Sequence, residues 1–132
     1  MTKINDAFKL EMYDSILTIH QNLHHAAGLI DLGEQVPNEY LQDAIGGLTS
    51  VREKYKTKMM EFCDEEDKSV VIVLHEFDHA LKNLREIHSI HDSDFDKATD
   101  MLKELAGDII VCALSARDGI NMINGVENSN DR

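Results

Sequence analysis

Apolar residues recur every three or four positions along nearly the whole chain, in four separate blocks. This spacing follows the turn of an α-helix, so each block predicts a helix with one apolar stripe along one face. Each predicted helix is about 20–30 residues long, and short connections join it to the next. The four stripes run from Phe8 to Ile30, from Leu41 to Phe62, from Val70 to His91 and from Phe95 to Ile123.

Four helices that each carry a single apolar stripe bury those stripes most simply in a four-helix bundle. We expect an all-α fold with antiparallel, up-down-up-down order. A single domain is expected over residues 1–125, followed by a frayed polar tail at 126–132. The 132 residues are enough to bury a core without disulfides or metals. In the alternative arrangement, a pair of long hairpins completes its core by dimerising.

Residue types that favour helix ends stand between the blocks. Asn, Asp and Ser cap the start of a helix through a side-chain oxygen, and Gly favours its end. The acidic connector 64–67 precedes the third block, where acids complement the helix dipole. Inside the second block, Gly46 and Gly47 weaken the helix and require a kink or a close helix crossing. The expected starts are Asn5 or Asp6, Asn38 after Pro37, and Ser93 or Asp94, and the expected ends are Gly33 and Gly125.

The charge of the chain restricts its partners. With 13 Lys and Arg against 25 Asp and Glu, the formal net charge is -12. Such a chain repels nucleic-acid phosphates and anionic membranes, and it favours basic proteins. We therefore expect a basic protein partner and no direct nucleic-acid binding. No apolar run approaches the roughly 18 residues that span a membrane, so no membrane insertion is expected.

The cellular location is inferred from the N-terminus and from the cysteines. The first residues show no apolar segment with the flanks of a secretion signal. Cys63 and Cys112 both lie in helical apolar patterns, and we interpret them as free thiols. These features predict a cytoplasmic protein.

Residues 75–79 read His-Glu-Phe-Asp-His and satisfy the H-E-x-x-H pattern. In this one motif the chain resembles the zincin metalloproteases. The resemblance implies that His75 and His79 are zinc ligands and that Glu76 is the general base. Steps of about 100° per residue from the stripe through Phe77 nevertheless put both histidines nearly opposite the apolar face. The alternative interpretation is an exposed polar helix face.

The same segment is followed, after 24 residues, by Glu104 and Asp108. This arrangement resembles the all-α nucleotide pyrophosphohydrolases of the MazG and dimeric dUTPase type, whose helical acids bind magnesium at a triphosphate. His75 and His79 stand at positions where that family has acids, and Glu104 and Asp108 are four apart where it has three. The two resemblances together imply a divalent metal, Mg, Mn or Zn, and the candidate ligands are His75, Glu76, His79, Glu104 and Asp108.

The fourth block carries acids along its polar side. They form either a solvated surface or a face that docks a basic protein, as an inhibitor, immunity protein or antitoxin would. Our leading interpretation is a non-enzymatic interaction protein without a cofactor, and the alternative is a metal-dependent hydrolase. The apolar run Val70–Leu74 exceeds what one bundle face needs, which makes it a candidate dimer contact. The candidate partner-binding residues are Asp94, Asp96, Asp100 and Glu104.

Overall fold

The computed structural model describes residues 4–32, 38–91 and 93–125. Within these ranges the chain forms four helices and no strand, and the helices pack against one another as a bundle. This confirms the expected all-α four-helix fold. Three predictions fall outside the described residues: the end of the first helix at Gly33, the position of Pro37 before the second helix, and the frayed tail at 126–132. The helices are α1 Asp6–Asp31, α2 Asn38–Met59, α3 Lys68–Ile90 and α4 Phe95–Asn124.

The apolar stripes form the core. Each helix packs on the next one along the chain, and α4 also packs on α1, so the four helices close into a ring. Ile16, Leu48, Phe77 and Ile109, one from each helix, are completely buried. Each such side chain contributes about 1.5–3 kcal/mol of hydrophobic stabilisation. Within the described residues, no helix is both long and apolar enough to cross a membrane.

Both ends of α4 follow the predicted signals. Asp94 precedes the first turn, and its side chain accepts a hydrogen bond from the backbone N–H of Lys97 at 3.2 Å. Gly125 follows the last turn in the left-handed conformation, with φ of 72°. This conformation is accessible to glycine at little cost and lets the Gly125 N–H bond back to the carbonyl of Met122.

The ends of the first two helices agree with the prediction less completely. The Asn5 side chain accepts a hydrogen bond from the N–H of Phe8 at 2.9 Å, which confirms Asn5 as a cap of α1. Helix α2 begins at Asn38 as expected, but it ends at Met59. Phe62, predicted as the last stripe residue of α2, therefore lies beyond the helix, where it is half-buried against the core.

The start of α1 is joined to the end of α4 by one amide side chain. The N–H of Ile4 donates to Oδ1 of Asn124 at 2.9 Å, and Nδ2 of Asn124 donates to the carbonyl of Ile4 at 2.9 Å. One amide thus satisfies both polar backbone groups of Ile4, which is 4% exposed. We call this arrangement the Asn124 clasp.

The predicted weak point at Gly46 and Gly47 does not interrupt α2. A methyl group added at Gly46 would point into open space, and one at Gly47 would lie 3.4 Å from Cδ1 of Ile19, an ordinary contact. The close helix approach lies instead at Gly119 of α4. A methyl group there would overlap the Tyr55 hydroxyl and lie 2.9 Å from the carbonyl oxygen of Ser69.

Tyr55 links the end of α2 to the start of α3 beneath Gly119. Its side chain is fully buried, and its hydroxyl donates to the carbonyl oxygen of Ser69 at 2.6 Å. Burial in this apolar setting raises the pKa of the Tyr55 hydroxyl above its ordinary value. The hydroxyl therefore stays protonated and keeps donating throughout the pH range in which proteins are handled.

Asp67 caps α3 and makes part of its stability pH-dependent. Its carboxylate accepts hydrogen bonds from the hydroxyl of Ser69 at 2.6 Å and from the N–H of Ser69 at 2.9 Å. These bonds, that of the hydroxyl first, lower the pKa of Asp67 below its ordinary 3.8. A carboxyl group with a lowered pKa in the folded state stabilises the fold above the unfolded pKa, and this stabilisation is lost as the pH falls through the folded pKa.

We expect Asp67→Ala to lower the melting temperature at pH 7, because the first turn of α3 loses its cap. The difference between wild type and variant is expected to narrow once the pH falls below 3.8. Thermal melts followed by circular dichroism across this range provide the measurement. Glu66→Ala, at an exposed neighbouring position, is the control and should leave the melting temperature unchanged. A difference for Asp67→Ala that is independent of pH would contradict the capping role.

Candidate functional site

Three of the predicted partner-binding residues form a line along α4. Asp96, Asp100 and Glu104 are all exposed and lie four positions apart in the first half of the helix. Four residues advance a helix by about 6 Å and a little more than one turn, so the three carboxylates stand one above another. We call these three residues the acidic row.

The acidic row differs from other acids of the bundle in its neighbours. Among the residues that the structure describes, no lysine, arginine or histidine nitrogen lies within ion-pair distance of its three carboxylates. In contrast, Asp78 receives two hydrogen bonds from Arg52, at 2.6 and 3.3 Å, and Glu86 lies 3.6 Å from the ammonium of Lys97. The row therefore presents negative charge that no described basic side chain balances directly.

Asp94, the fourth predicted partner-binding residue, occupies a different position. It lies outside α4 and is exposed, and one of its oxygens is engaged in capping the first turn of that helix. An interaction with a partner would have to use the other oxygen or break the cap. The role of Asp94 in partner binding stays a prediction, whereas its hydrogen bond with the α4 backbone is present in the structure.

The His-Glu-Phe-Asp-His segment has the orientation expected from its spacing. His75 and His79 are exposed, and Phe77 between them is completely buried. Glu76 is half-buried, and its backbone carbonyl lies 3.5 Å from the thiol of Cys112, which donates to it. In the fold, this segment therefore contributes a core phenylalanine with polar residues on its outer side.

The structure brings two of the candidate metal ligands together from different helices. Nε2 of His79 lies 3.9 Å from Oδ2 of Asp108, across the interface between α3 and α4. The same nitrogen lies 3.4 Å from the side-chain amide of Asn83. His75 instead borders a groove between α2 and α3, beside Arg52. Glu104 belongs to the acidic row.

A metal held by His79 and Asp108 would need further ligands. Zinc sites commonly use three or four protein ligands, and magnesium takes six oxygen atoms, many of them from water. Within the part of the chain that the structure describes, no group of three or more His, Cys, Asp or Glu side chains is placed to hold a metal ion. The geometry thus offers two potential metal ligands, His79 and Asp108, and metal binding by them stays a prediction.

Both cysteines are free thiols. Cys112 is buried in the core, and this burial raises its pKa to about 12. Cys63 is half-buried, and its pKa is also raised, chiefly by burial. Because the thiolate is the reactive form, both groups are poorly suited to nucleophilic chemistry near neutral pH.

An exposed apolar region that the helical spacing did not predict lies between α1 and α4. Leu10 and Tyr13 of α1 face Leu114 of α4 across a groove of about 390 Å³. The signal was present in the sequence, because Leu10 and Tyr13 fall outside the stripe through Met12 and add a second apolar edge to α1. We call this feature the α1–α4 groove.

The predicted dimer contact at Val70–Leu74 is divided between core and surface. Val70 and Val73 are buried in the core of the bundle. Val71 and Ile72 are half exposed, and Leu74 is partly buried. Val70, Val73 and Leu74 are therefore used within the bundle, whereas Val71 and Ile72 leave a small apolar surface on the outer side of α3.

Comparison of the chain with models of protein families, with curated proteins and with solved structures finds no match in any of the three.

Proposed function

We propose that the protein is a non-enzymatic interaction protein that binds a basic protein partner through the acidic row of α4. The observation that carries this proposal is the line of three exposed carboxylates, Asp96, Asp100 and Glu104, along the first half of α4. An inhibitor, immunity protein or antitoxin would use such a face to cover a positively charged site on its partner.

The electrostatics of the acidic row favour this proposal over a purely solvated surface. Its carboxylates are about 6 Å apart along the helix, within the Debye length of about 10 Å at 0.1 M salt, so they act on a ligand together. A row of like charges also opposes itself within the free protein. Docking of a basic surface relieves this repulsion and adds attraction, and the net charge of -12 draws such a partner over longer distances.

The position of the charge can be tested separately from its amount. We expect Asp96→Lys combined with Asp100→Lys to weaken binding of a basic partner by at least about tenfold, which corresponds to roughly 1.4 kcal/mol. Each substitution replaces an attractive contact with a repulsive one. Affinity capture from cell lysate at low salt, followed by titration of the captured protein at two salt concentrations, measures the effect.

Glu39→Lys combined with Asp43→Lys is the matched control. These two acids are also exposed and four positions apart, on α2, so both double variants raise the formal net charge by the same amount, from -12 to -8. The control is expected to retain binding within about twofold, because long-range attraction is weak once salt screens it. Equal binding by both double variants, or equal loss in both, would contradict a role for the acidic row.

A metal-dependent hydrolase is the second candidate, and the approach of His79 to Asp108 is the observation that favours it. This function would be most similar to nucleotide pyrophosphohydrolysis, with the zincin-like protease as a further form. It predicts nucleotide turnover with magnesium or manganese. Asp108→Ala should abolish this turnover, and the double variant Asp96→Lys, Asp100→Lys should retain it. Absence of turnover across a nucleotide panel and a peptide panel would exclude it.

Three finer expectations belong to the same proposal. An antiparallel order of the helices is supported by contacts that pair Lys9 with Asn121 and His20 with Ala106, because position rises along α1 as it falls along α4. A cytoplasmic location is supported by the free cysteines. A lack of direct nucleic-acid binding is supported by the net charge of -12.

A further inference from the structure

The α1–α4 groove is apolar at its base and along both edges. Met12 and Ile120 are almost completely buried beneath it. At its edges Leu10, Tyr13 and Leu114 keep 60, 51 and 43% of their surface exposed. Exposed apolar side chains that lie together, unlike scattered ones, mark a surface suited to contact with another molecule.

The rim of this groove carries charges of both signs, in contrast to the acidic excess of the chain as a whole. The ammonium of Lys9 lies 4.0 Å from the carboxylate of Asp6, and the guanidinium of Arg117 lies 3.1 Å from that of Asp118. The charged residues that line the groove are Lys9, Arg117 and Asp6, which together carry a formal charge of +1, whereas the chain carries -12. The groove is therefore a place where a negatively charged molecule can approach without local repulsion.

We propose that the α1–α4 groove is the contact surface between two copies of this chain, related by a twofold axis. In such a dimer the same patch serves both partners, so it must be complementary to itself. An apolar centre meets this requirement. A rim of mixed sign also meets it, because the acids of one copy can face the bases of the other. This inference is independent of the acidic row, which lies in the other half of α4.

The exposed apolar residues of α3 are less suited to such a contact. Val71 borders a groove that Glu65 and Glu66 also line. These acids belong to the connector at residues 64–67, in which every residue is acidic. Arg52, Lys56 and Asp78 line the same groove, so its acids outnumber its bases by three to two. Two copies meeting there would bring two surfaces of net negative charge together, which opposes association. The charge distribution thus favours the α1–α4 groove over the exposed residues of α3.

The proposal predicts an unusual salt dependence. Two chains of charge -12 repel each other, and salt screens that repulsion while leaving apolar contact largely intact. The dimer is therefore expected to strengthen as salt rises, opposite to the binding of a basic partner. Sedimentation velocity of the full chain measures the dissociation constant of the dimer and its salt dependence. Protein concentrations from about 1 to 100 μM and salt concentrations from about 20 to 300 mM cover the range needed.

Leu114→Asp and Leu10→Asp are expected to raise the dissociation constant of the dimer at least about tenfold, because each puts a charge into the apolar centre. Ile72→Asp is the matched control, since it makes the same change at a side chain that is 55% exposed on α3, and it should leave dimerisation unchanged. All three positions are exposed, so the variants should fold, and circular dichroism with a thermal melt checks this.

Three results would overturn the proposal. The first is a wild-type chain that stays monomeric at the highest protein and salt concentrations. The second is a dimer that Ile72→Asp disrupts and Leu114→Asp does not, which would place the contact on α3. The third is a dimer that weakens as salt rises, because such a contact would depend on charge attraction. None of these results bears on the acidic row, whose test measures a different partner.

Discussion

Gly119→Ala is expected to lower the free energy of unfolding by about 3 kcal/mol, although alanine is the better helix former. The added methyl group would overlap the Tyr55 hydroxyl and lie 2.9 Å from the carbonyl of Ser69 and 3.2 Å from Cγ2 of Val73. Two of these neighbours are backbone or a β-branched side chain, so they yield little. Tyr55 would have to move and release its buried hydrogen bond, and this accounts for about 1–3 kcal/mol of the expected loss. Denaturant unfolding followed by circular dichroism gives the value.

Two other glycines of the helices serve as controls for this substitution. Gly46 and Gly107 have no atom within 4 Å of an added methyl group. Alanine at either site is expected to stabilise the protein by about 0.5–1 kcal/mol, through helix propensity alone. In a Tyr55→Phe background the overlapping oxygen is gone, so Gly119→Ala should cost less there than in the wild type. If Gly119→Ala proves as harmless as Gly107→Ala, α3 and α4 do not approach each other closely at this point.

Phe77→Ala is expected to destabilise the protein by about 3–5 kcal/mol, the range for removing a fully buried aromatic ring. Phe77 is 0% exposed, and its ring lies 6.3 Å from that of Tyr55 in the centre of the bundle. Each surrounding helix packs against two neighbours, so the helices cannot move together enough to fill the cavity that the ring leaves. Because small domains are stable by only about 5–15 kcal/mol, this loss approaches the point of unfolding at moderate temperature.

The two histidines that flank Phe77 provide the comparison. His75→Ala and His79→Ala are each expected to change the free energy of unfolding by no more than about 0.5 kcal/mol, because both side chains are exposed. Urea melts of the three variants under the same conditions make the comparison. A large loss for His79→Ala in metal-free buffer would show that its contact with Asp108 stabilises the bundle, contrary to this expectation.

The fold could be predicted because one physical rule governs most of it. The period of the helix sorts side chains into buried and exposed faces, so Leu41, Leu48 and Ile109 could be assigned to the core from spacing alone. The end of α2 could not be predicted this way. No glycine or proline stops the helix after Met59, and its end depends on how the following residues, Phe62 among them, pack against the core.

The glycines show the same limit more sharply. The adjacent pair Gly46 and Gly47 gave the stronger sequence signal, yet the close contact occurs at the single Gly119. Which glycine meets a neighbouring helix depends on the rotation and relative height of the helices. Neither quantity is encoded in the local spacing of one helix. The signal for Gly119 was its place between Ala116 and Ile120 on the buried stripe of α4.

For the candidate sites, exposure could be predicted and proximity could not. Steps of 100° correctly placed His75 and His79 on the outside of α3. The approach of His79 to Asp108, without His75, depends on how far α4 is shifted along α3. The α1–α4 groove was missed because each stripe was assigned wholly to the interior. Leu10 and Leu114, just outside their stripes, become neighbours only when two helices lie side by side.

The Asn124 clasp has a consequence for connectivity. The clasp holds Ile4 beside the last turn of α4, so the start of α1 and the end of α4 lie close together. The order of the helices along the chain can therefore be changed while their arrangement in the bundle is kept. A circularly permuted chain, opened in the connector at residues 64–67 and joined by a short peptide across the clasp, would begin with α3 and end with α2. Every helix in it would keep the same two neighbours.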